Sequence, residues 1–288
     1  MEAAGHTGPV ETRILEGRTV GGLAWEGTGD GEALVLIHAG VADRRMWDPQ
    51  WIGLGSAFRV IRYDARGFGE TLPPAGGWSH HGDLSALLDE LALERIHLVG
   101  ASMGAGIAVE VALDRPGTVA SLVLIAPGGA LLGDAPDALR APWRAEGEAL
   151  DRGDLDAAVE VNLRAWVDGP ARSREAVDPA VRAFVGTMQR RAFELADWDH
   201  DGAPENEMEP SAAGRLGELD MPVLVVVGMA DWPPIIEVAE RIGREVPGSR
   251  VVRWPGVAHL PSLERPAEFE RLVREFIVGV QAGAAQAG

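Results

Sequence analysis

Three residues far apart in this 288-residue chain have the types that acyl transfer needs: Ser102, Asp231 and His259. A serine hydroxyl is a poor nucleophile at neutral pH. It needs a base within hydrogen-bond reach and a carboxylate that orients that base. Ser102 stands in Gly100-Ala101-Ser102-Met103-Gly104, between an apolar run and a helical pattern, the context in which G-x-S-x-G carries meaning. On such a strand-to-helix turn the backbone is crowded, the small Gly100 and Gly104 relieve contacts, and the helix N-terminus favours developing negative charge. Asp231 lies three residues beyond an apolar run at 223–228, and His259 lies five beyond another at 250–254. Parallel strands end on one edge of their sheet, so the spacing gathers the three there, in the chain order Ser, Asp, His.

The elements that must position them read as a mostly parallel sheet with crossover helices. Apolar strands are expected at 33–38, 59–63, 96–100, 121–126, 223–228 and 250–254, after an antiparallel edge hairpin at 12–16 and 22–26. Helical spacing of apolar residues marks 83–91, 103–114, 235–246 and 266–280. Between the strands at 121–126 and 223–228 the rhythm breaks for about 90 residues without a convincing strand. Amphipathic helices are expected there at 136–153, 154–169 and 178–196, with Trp143, Trp166, Phe184 and Met188 on their apolar faces. Most of these build the segment's own core. Trp143, Trp166 and Met188, with Val41 from the loop after the third strand, are the candidates for lining a substrate pocket. The Ala/Gly-rich tail 281–288 is expected to be disordered.

Composition narrows the chemistry. The chain has 26 basic residues, all arginine, and 44 acidic ones, for a net charge of −18; it has no lysine and no cysteine. That removes a thiol nucleophile, a cysteine-held metal, a disulfide framework, a phosphate-loop lysine and any Schiff base. So acidic a chain argues against nucleic-acid and anionic-membrane partners. No apolar run reaches the roughly 18 residues of a membrane span, and the N-terminus lacks the pattern of a secretory signal, so a cytoplasmic location is expected. Asp197-Trp198-Asp199-His200-Asp201-Gly202 copies the first half of a calcium-binding loop, but Met208 stands where a bidentate glutamate is required, between Glu207 and Glu209, and Pro204 interrupts it. We read it as an acidic surface loop. His80-His81 are expected to be solvated before a helix, and no histidine has a metal-ligand partner at useful spacing.

Four motifs make the chain resemble an α/β-hydrolase fold protein over nearly its whole length. They are His38-Ala39-Gly40, Asp64-Ala65-Arg66-Gly67-Phe68-Gly69-Glu70-Thr71, the Gly100 to Gly104 turn, and the Asp231 and His259 loops. The stretches 38–47 and 257–266 resemble the enol-lactonase and small carboxylesterase branch in particular. The resemblance implies an α/β-hydrolase core at 1–127 and 220–288, with a helical cap, or lid, at 128–219. It makes Ser102 the nucleophile, His259 the general base and then acid, and Asp231 the group that fixes the histidine tautomer. Gly40 and Met103 would form the oxyanion hole through their backbone N–H groups, with Val41 the neighbouring alternative. Ala39 stands where glycine is commoner. His38 is expected to brace the oxyanion loop, and Asp64 and Arg66 to pin the loop after the fourth strand.

The implied function is hydrolysis of a small carboxylic ester or lactone through an acyl-enzyme, with no cofactor or metal, by a monomer or homodimer. A serine nucleophile argues against the haloalkane dehalogenase and epoxide hydrolase branches, which use aspartate. C–C bond hydrolases, cofactor-free haloperoxidases or perhydrolases, and hydroxynitrile lyases keep the same triad. A ligand-sensing receptor of this fold, with little turnover, is the alternative of a different class.

Overall fold

The computed structural model describes residues 14–73, 76–133, 136–196 and 205–287. Its sheet comprises β1 (Ile14–Arg18), β2 (Ala24–Thr28), β3 (Ala33–Ile37), β4 (Arg59–Tyr63), β5 (Ile96–Ala101), β6 (Val119–Ile125), β7 (Val223–Gly228) and β8 (Arg250–Trp254). Their spatial order is β1-β2-β4-β3-β5-β6-β7-β8. β1 pairs with β2, and β2 with β4, antiparallel; every other pairing is parallel. The helices are α1 (Asp48–Gly55), α2 (His80–Glu90), α3 (Met103–Asp114), α4 (Asp137–Asp151), α5 (Leu155–Asn162), α6 (Pro179–Leu195), α7 (Pro233–Glu245), α8 (Pro261–Glu264) and α9 (Pro266–Ala287).

The central strands are apolar throughout because both faces of the sheet are covered. Leu34, Leu36, Val99, Val123 and Val226 join the layer that holds Trp47, Phe269 and Val273 from the α1 and α9 side. Val35, Leu98, Leu124 and Val225 alternate with them into the layer built on α2, α3 and α7. Each fully buried aliphatic side chain contributes about 2 kcal/mol relative to exposure, so the two layers supply the main driving force for this sheet. Between α1 and α9 the approach is close: a Cβ at Gly53 would fall 2.1 Å from the Glu270 carboxylate.

Several expectations shift. The edge hairpin sits two residues further along than the pattern suggested, because Gly22, at φ +90°, is taken up in the turn closed by Leu23 O and Thr19 O. α2 begins at His80, so its paired histidines form the first turn rather than preceding it. Ser79 caps that turn by accepting from Gly82 N at 3.1 Å. His80 is half-buried, its ring meets Trp78 edge-on at 4.7 Å, and burial lowers its pKa; both histidines are only partly exposed. The tail is also corrected: α9 runs on to Ala287, with Gln281 donating to Glu32 at 2.8 Å. α1 and α8 are short helices that periodicity did not reveal.

The segment between β6 and β7 is helical, as expected. α4 ends at Asp151, and Gly153, a left-handed glycine at φ +69° two residues on, stops it from continuing. Asp154 then caps α5 by accepting from Ala157 N, and Asp178 caps α6 by accepting from Ala180 N. The expected single helix at 154–169 is instead α5 followed by a wide π-turn, Leu163–Asp168. Buried Arg182 of α6 ties that turn down through Asp168, 3.0 Å away, and reaches Glu160 at 2.7 Å. The loop at Asp197 to Gly202 lies outside the described residues.

Candidate active site

The strand order reverses direction at β3, which has β4 on one side and β5 on the other. A crevice opens at the carboxyl ends of the two strands flanking such a switch, and β3 and β5 lead into the Gly40 loop and Ser102. Ser102 adopts φ +53° and ψ −112°, a conformation that costs a non-glycine residue about 1–3 kcal/mol. Its surroundings enforce it: Ser102 N donates to Ile125 O at 2.8 Å, while Ser102 O accepts from Ala105 N and Gly128 N. The two flanking glycines are required by contact. A Cβ at Gly100 would sit 2.1 Å from Gly104 O, and one at Gly104 would sit 2.5 Å from Ile37 O.

Ser102, His259 and Asp231 meet. His259 Nε2 lies 2.7 Å from Ser102 Oγ, and Nδ1 lies 2.7 Å from Asp231 Oδ2. An ionised carboxylate can only accept, so Nδ1 carries the hydrogen and the lone pair on Nε2 faces the serine hydroxyl. The other Asp231 oxygen accepts from Trp232 N at 2.7 Å. His259 and Asp231 are almost fully buried, at 1% and 4% exposure, so their hydrogen bonds are shielded from water. The loops that carry them are packed tightly. Ala230 N donates to Val257 O at 2.8 Å, and a Cβ at Gly228 would fall 2.2 Å from Ala258 O.

Gly40 and Val41 occupy the middle of a turn closed by Ala42 N donating to Ala39 O, which leaves their own N–H groups outside the turn bond. Met103 opens α3, and the first N–H groups of a helix have no partner in its ladder. A Cβ at Gly40 would lie 3.8 Å from Met103 Cβ, so the two candidate donor residues are neighbours, and both line the same cavity as Ser102. The unusual Ala39 puts its methyl into the core without exposure. His38 braces this loop as expected: Nε2 accepts from Ala65 N at 3.0 Å, so Nδ1 donates to Ala39 O at 2.9 Å. Asp64 accepts from Arg44 N and Glu70 N, and Arg66 pairs with Asp83, so both act as structural ties.

Ser102 and His259 open into a cavity of about 370 Å³. Val41, Trp143 and Trp166 line it, as the sequence suggested. Met188 does not. It is buried in the core at 1% exposure, and its neighbour Gln189, one residue round the helix, faces the cavity instead. Glu146 and Asn162 line the same cavity and were not anticipated, because isolated polar residues on two separate helices form no readable pattern. Asn162 Nδ2 donates to Glu146 Oε2 at 2.8 Å, and burial holds the Glu146 carboxyl above its ordinary pKa despite that bond.

Trp166, from the π-turn, lies over the His259 ring. Behind it Arg172 crosses from the helical segment to the histidine loop, donating to Asp168 O, Gly256 O and the Glu264 carboxylate. Glu264 in turn accepts from Ala258 N at 2.8 Å, one residue before His259. Among the described residues there is no cluster of metal-ligating side chains, and no helix is long and apolar enough to cross a membrane.

An eight-stranded sheet with a strained serine between β5 and α3 and a buried Ser–His–Asp chain at its carboxyl edge defines a class of enzyme. The model of the alpha/beta hydrolase family matches residues 34–272, and the chain belongs to that family. It is 27% identical, over 92% of its length and 93% of the relative's, to a 2-hydroxy-6-oxononadienedioate/2-hydroxy-6-oxononatrienedioate hydrolase of Cupriavidus pinatubonensis. Among solved structures it resembles a thermophilic esterase from Thermogutta terrifontis (27% identity, TM-score 0.72, 93% of this chain and 99% of that one). It also resembles Est816, an N-acyl homoserine lactone degrading enzyme (26% identity, TM-score 0.69, 88% of this chain and 96% of that one).

Proposed function

We propose that the protein is a serine hydrolase of small carboxylic esters or lactones. The observation that carries this is the unbroken hydrogen-bonded chain from Ser102 Oγ through His259 to Asp231, with Ser102 and His259 lining a cavity of about 370 Å³. In this mechanism Ser102 Oγ attacks the ester carbonyl while His259 Nε2 takes the hydroxyl proton. The developing oxyanion rests on the N–H groups of Gly40 and Met103; in other enzymes losing one such donor costs about 3 kcal/mol. The intermediate collapses, and His259 returns its proton to the departing alcohol, which in a lactone remains attached to the acyl group. A water molecule then attacks the acyl-enzyme, with His259 again the base, and the free acid leaves. Asp231 keeps the proton on Nδ1 throughout.

Residues 128–219 act as the cap over the core formed by 1–127 and 220–288. They cover one face of the histidine ring with Trp166. The similarity to esterase and lactonase structures supports ester or lactone substrates. The hydrolase of Cupriavidus pinatubonensis favours a second reading, C–C bond hydrolysis with the same triad.

Turnover of short and medium p-nitrophenyl esters and of a simple lactone, with Ser102→Ala beside the parent, tests the proposal. Turnover lost in the variant supports it. A folded parent that turns over none of them and resists an organophosphonate probe is no serine hydrolase. Cleavage of a dienoate ketone far faster than any ester would establish the second reading.

A further inference from the structure

Met103, Gly129 and Gly133 line a second cavity, of about 640 Å³, which therefore adjoins the one that holds Ser102. Its charge is one-sided. Glu110, Glu205, Glu207 and Glu209 line it with His80, and no arginine does among the described residues. The chain has no lysine to serve instead. Glu205, Glu207 and Glu209 are exposed at its mouth, and three solvated carboxylates alone would be an ordinary acidic surface.

Glu110 is of another kind. It projects from α3 into this cavity and is 6% exposed. No hydrogen bond reaches its carboxyl among the described residues. His81 Nδ1 stands 4.0 Å from Oε2, beyond hydrogen-bond distance, and is itself buried without a partner. The Glu110 side chain keeps 8% of its surface accessible, so a molecule in the cavity can reach it. Burying a carboxylate without a counter-ion is costly, and with Glu205 and Glu207 nearby that cost pushes the carboxyl up to about 7. Filling this space would not require an acid, and a bound cation would remove the cost.

Met103, Ile107, Met208 and Ala212 make the rest of the lining apolar. The acids do not converge as a divalent ion would require, since no group of metal-ligating side chains forms among the described residues. An organic cation with an alkyl chain suits both parts of the wall.

We propose that this second cavity binds a primary alkylammonium group, with Glu110 the counter-ion at its buried end and Glu205, Glu207 and Glu209 drawing the cation to its mouth. The chain lies along Met103, Ile107 and Met208. The same ammonium chemistry has two sources, a free amine or the distal end of a substrate, and the experiment separates them.

Calorimetric titration at pH 8, where Glu110 is ionised, uses n-hexylammonium, with 1-hexanol and hexanoate as its neutral and anionic counterparts. Hexylammonium should bind the parent at least tenfold more tightly than either, the weight of a charge-assisted hydrogen bond. Glu110→Gln, of the same size, should weaken it at least tenfold. Glu207→Arg, which brings a guanidinium to the mouth, should weaken it too and serves if Glu110→Gln misfolds by circular dichroism. Glu275→Gln removes the same charge from an exposed position on α9, across the sheet, and should leave Kd unchanged.

The p-nitrophenyl esters of 8-aminooctanoate and octanoate distinguish the sources, because Glu110 lies about 10 Å along α3 from Met103, within reach of such a chain. A preference for the amino ester that falls at least tenfold in Glu110→Gln assigns the cation to the substrate. A preference unmoved by that change, with hexylammonium still bound by the parent, assigns it to a free amine. Absence of binding by the parent, hexanol bound as tightly as hexylammonium, or hexylammonium affinity that survives in Glu110→Gln would each overturn the site. So would an equal loss in Glu275→Gln. The titration needs no turnover, so the site stands or falls independently of the hydrolase reading.

Discussion

The indole of Trp166 and the imidazole of His259 meet with ring centroids 4.6 Å apart and planes inclined by 45°. Trp166 is fixed from behind by Trp232, edge-on at 6.5 Å, and Trp232 Nε1 donates to Ala165 O. One face of the base is thus held by the π-turn. Trp166→Ala should lower kcat/KM on p-nitrophenyl acetate about tenfold, the weight of one aromatic pair with its burial. Trp166→Phe should recover most of it. Steady-state rates for the Ala variant equal to those of the parent would show that the ring is a bystander.

Ser102 is held at φ +53°, where a Cβ is strained. Alanine normally stabilises a chain relative to glycine, because glycine has more freedom to lose on folding. At position 102 the order should reverse: Ser102→Gly should be more stable than Ser102→Ala by about 1 kcal/mol in urea unfolding. An alanine variant as stable as the glycine one would mean the turn is relaxed.

Asp231 accepts from both His259 and the Trp232 amide. Asp231→Asn keeps the shape but can present an amide hydrogen to Nδ1, which drives the hydrogen onto Nε2, where it faces the serine. A fall in kcat of about four orders of magnitude is expected by analogy with serine proteases. A loss under tenfold at saturating ester would show that another acid orients the base.

Glu110 is buried in α3 near Glu205 and Glu207, and burial followed by those like charges pushes its carboxyl up to about 7 from an ordinary 4.5. The sign follows from proton linkage. As pH rises above 4.5 the unfolded chain releases this proton first, so the contribution to stability falls until the folded carboxyl also ionises near 7. Glu110→Gln removes that fall. Its gain in Tm over the parent should therefore be larger at about pH 8 than at about pH 5, read by calorimetry at both. A gain independent of pH would return Glu110 to ordinary titration.

The sheet and the meeting of Ser102, His259 and Asp231 were legible because both obey short-range rules. Apolar runs such as Val223–Gly228 cannot be exposed, and a glycine-flanked serine after Ile96–Ala101 has a stereochemical reason to be there. The far wall of the cavity was not legible. Met188 and Gln189 differ by one position on α6, and only the packing of α6 against its neighbours decides which of them is core and which is lining. Likewise the end of α9 is rich in small residues that read as disorder, yet alanine is also the best helix former and Gln281 anchors the helix to Glu32.

Arg172 gives the molecule a constraint on how its parts can be exchanged. Its guanidinium bonds Val167 O and Asp168 O on the helical segment and Gly256 O and Glu264 on the histidine loop, while Glu264 also holds the amide before His259. The segment between β6 and β7 is contiguous in sequence, but it is not an independent module. A graft cut at the strand ends would bring a foreign cap to a loop that has lost its clamp, and the base would lose its register with Ser102. A chimaera of this chain that moves 128–219 together with 255–265 keeps the Arg172 clamp whole, and is the one expected to retain the 2.7 Å contact of His259 with Ser102.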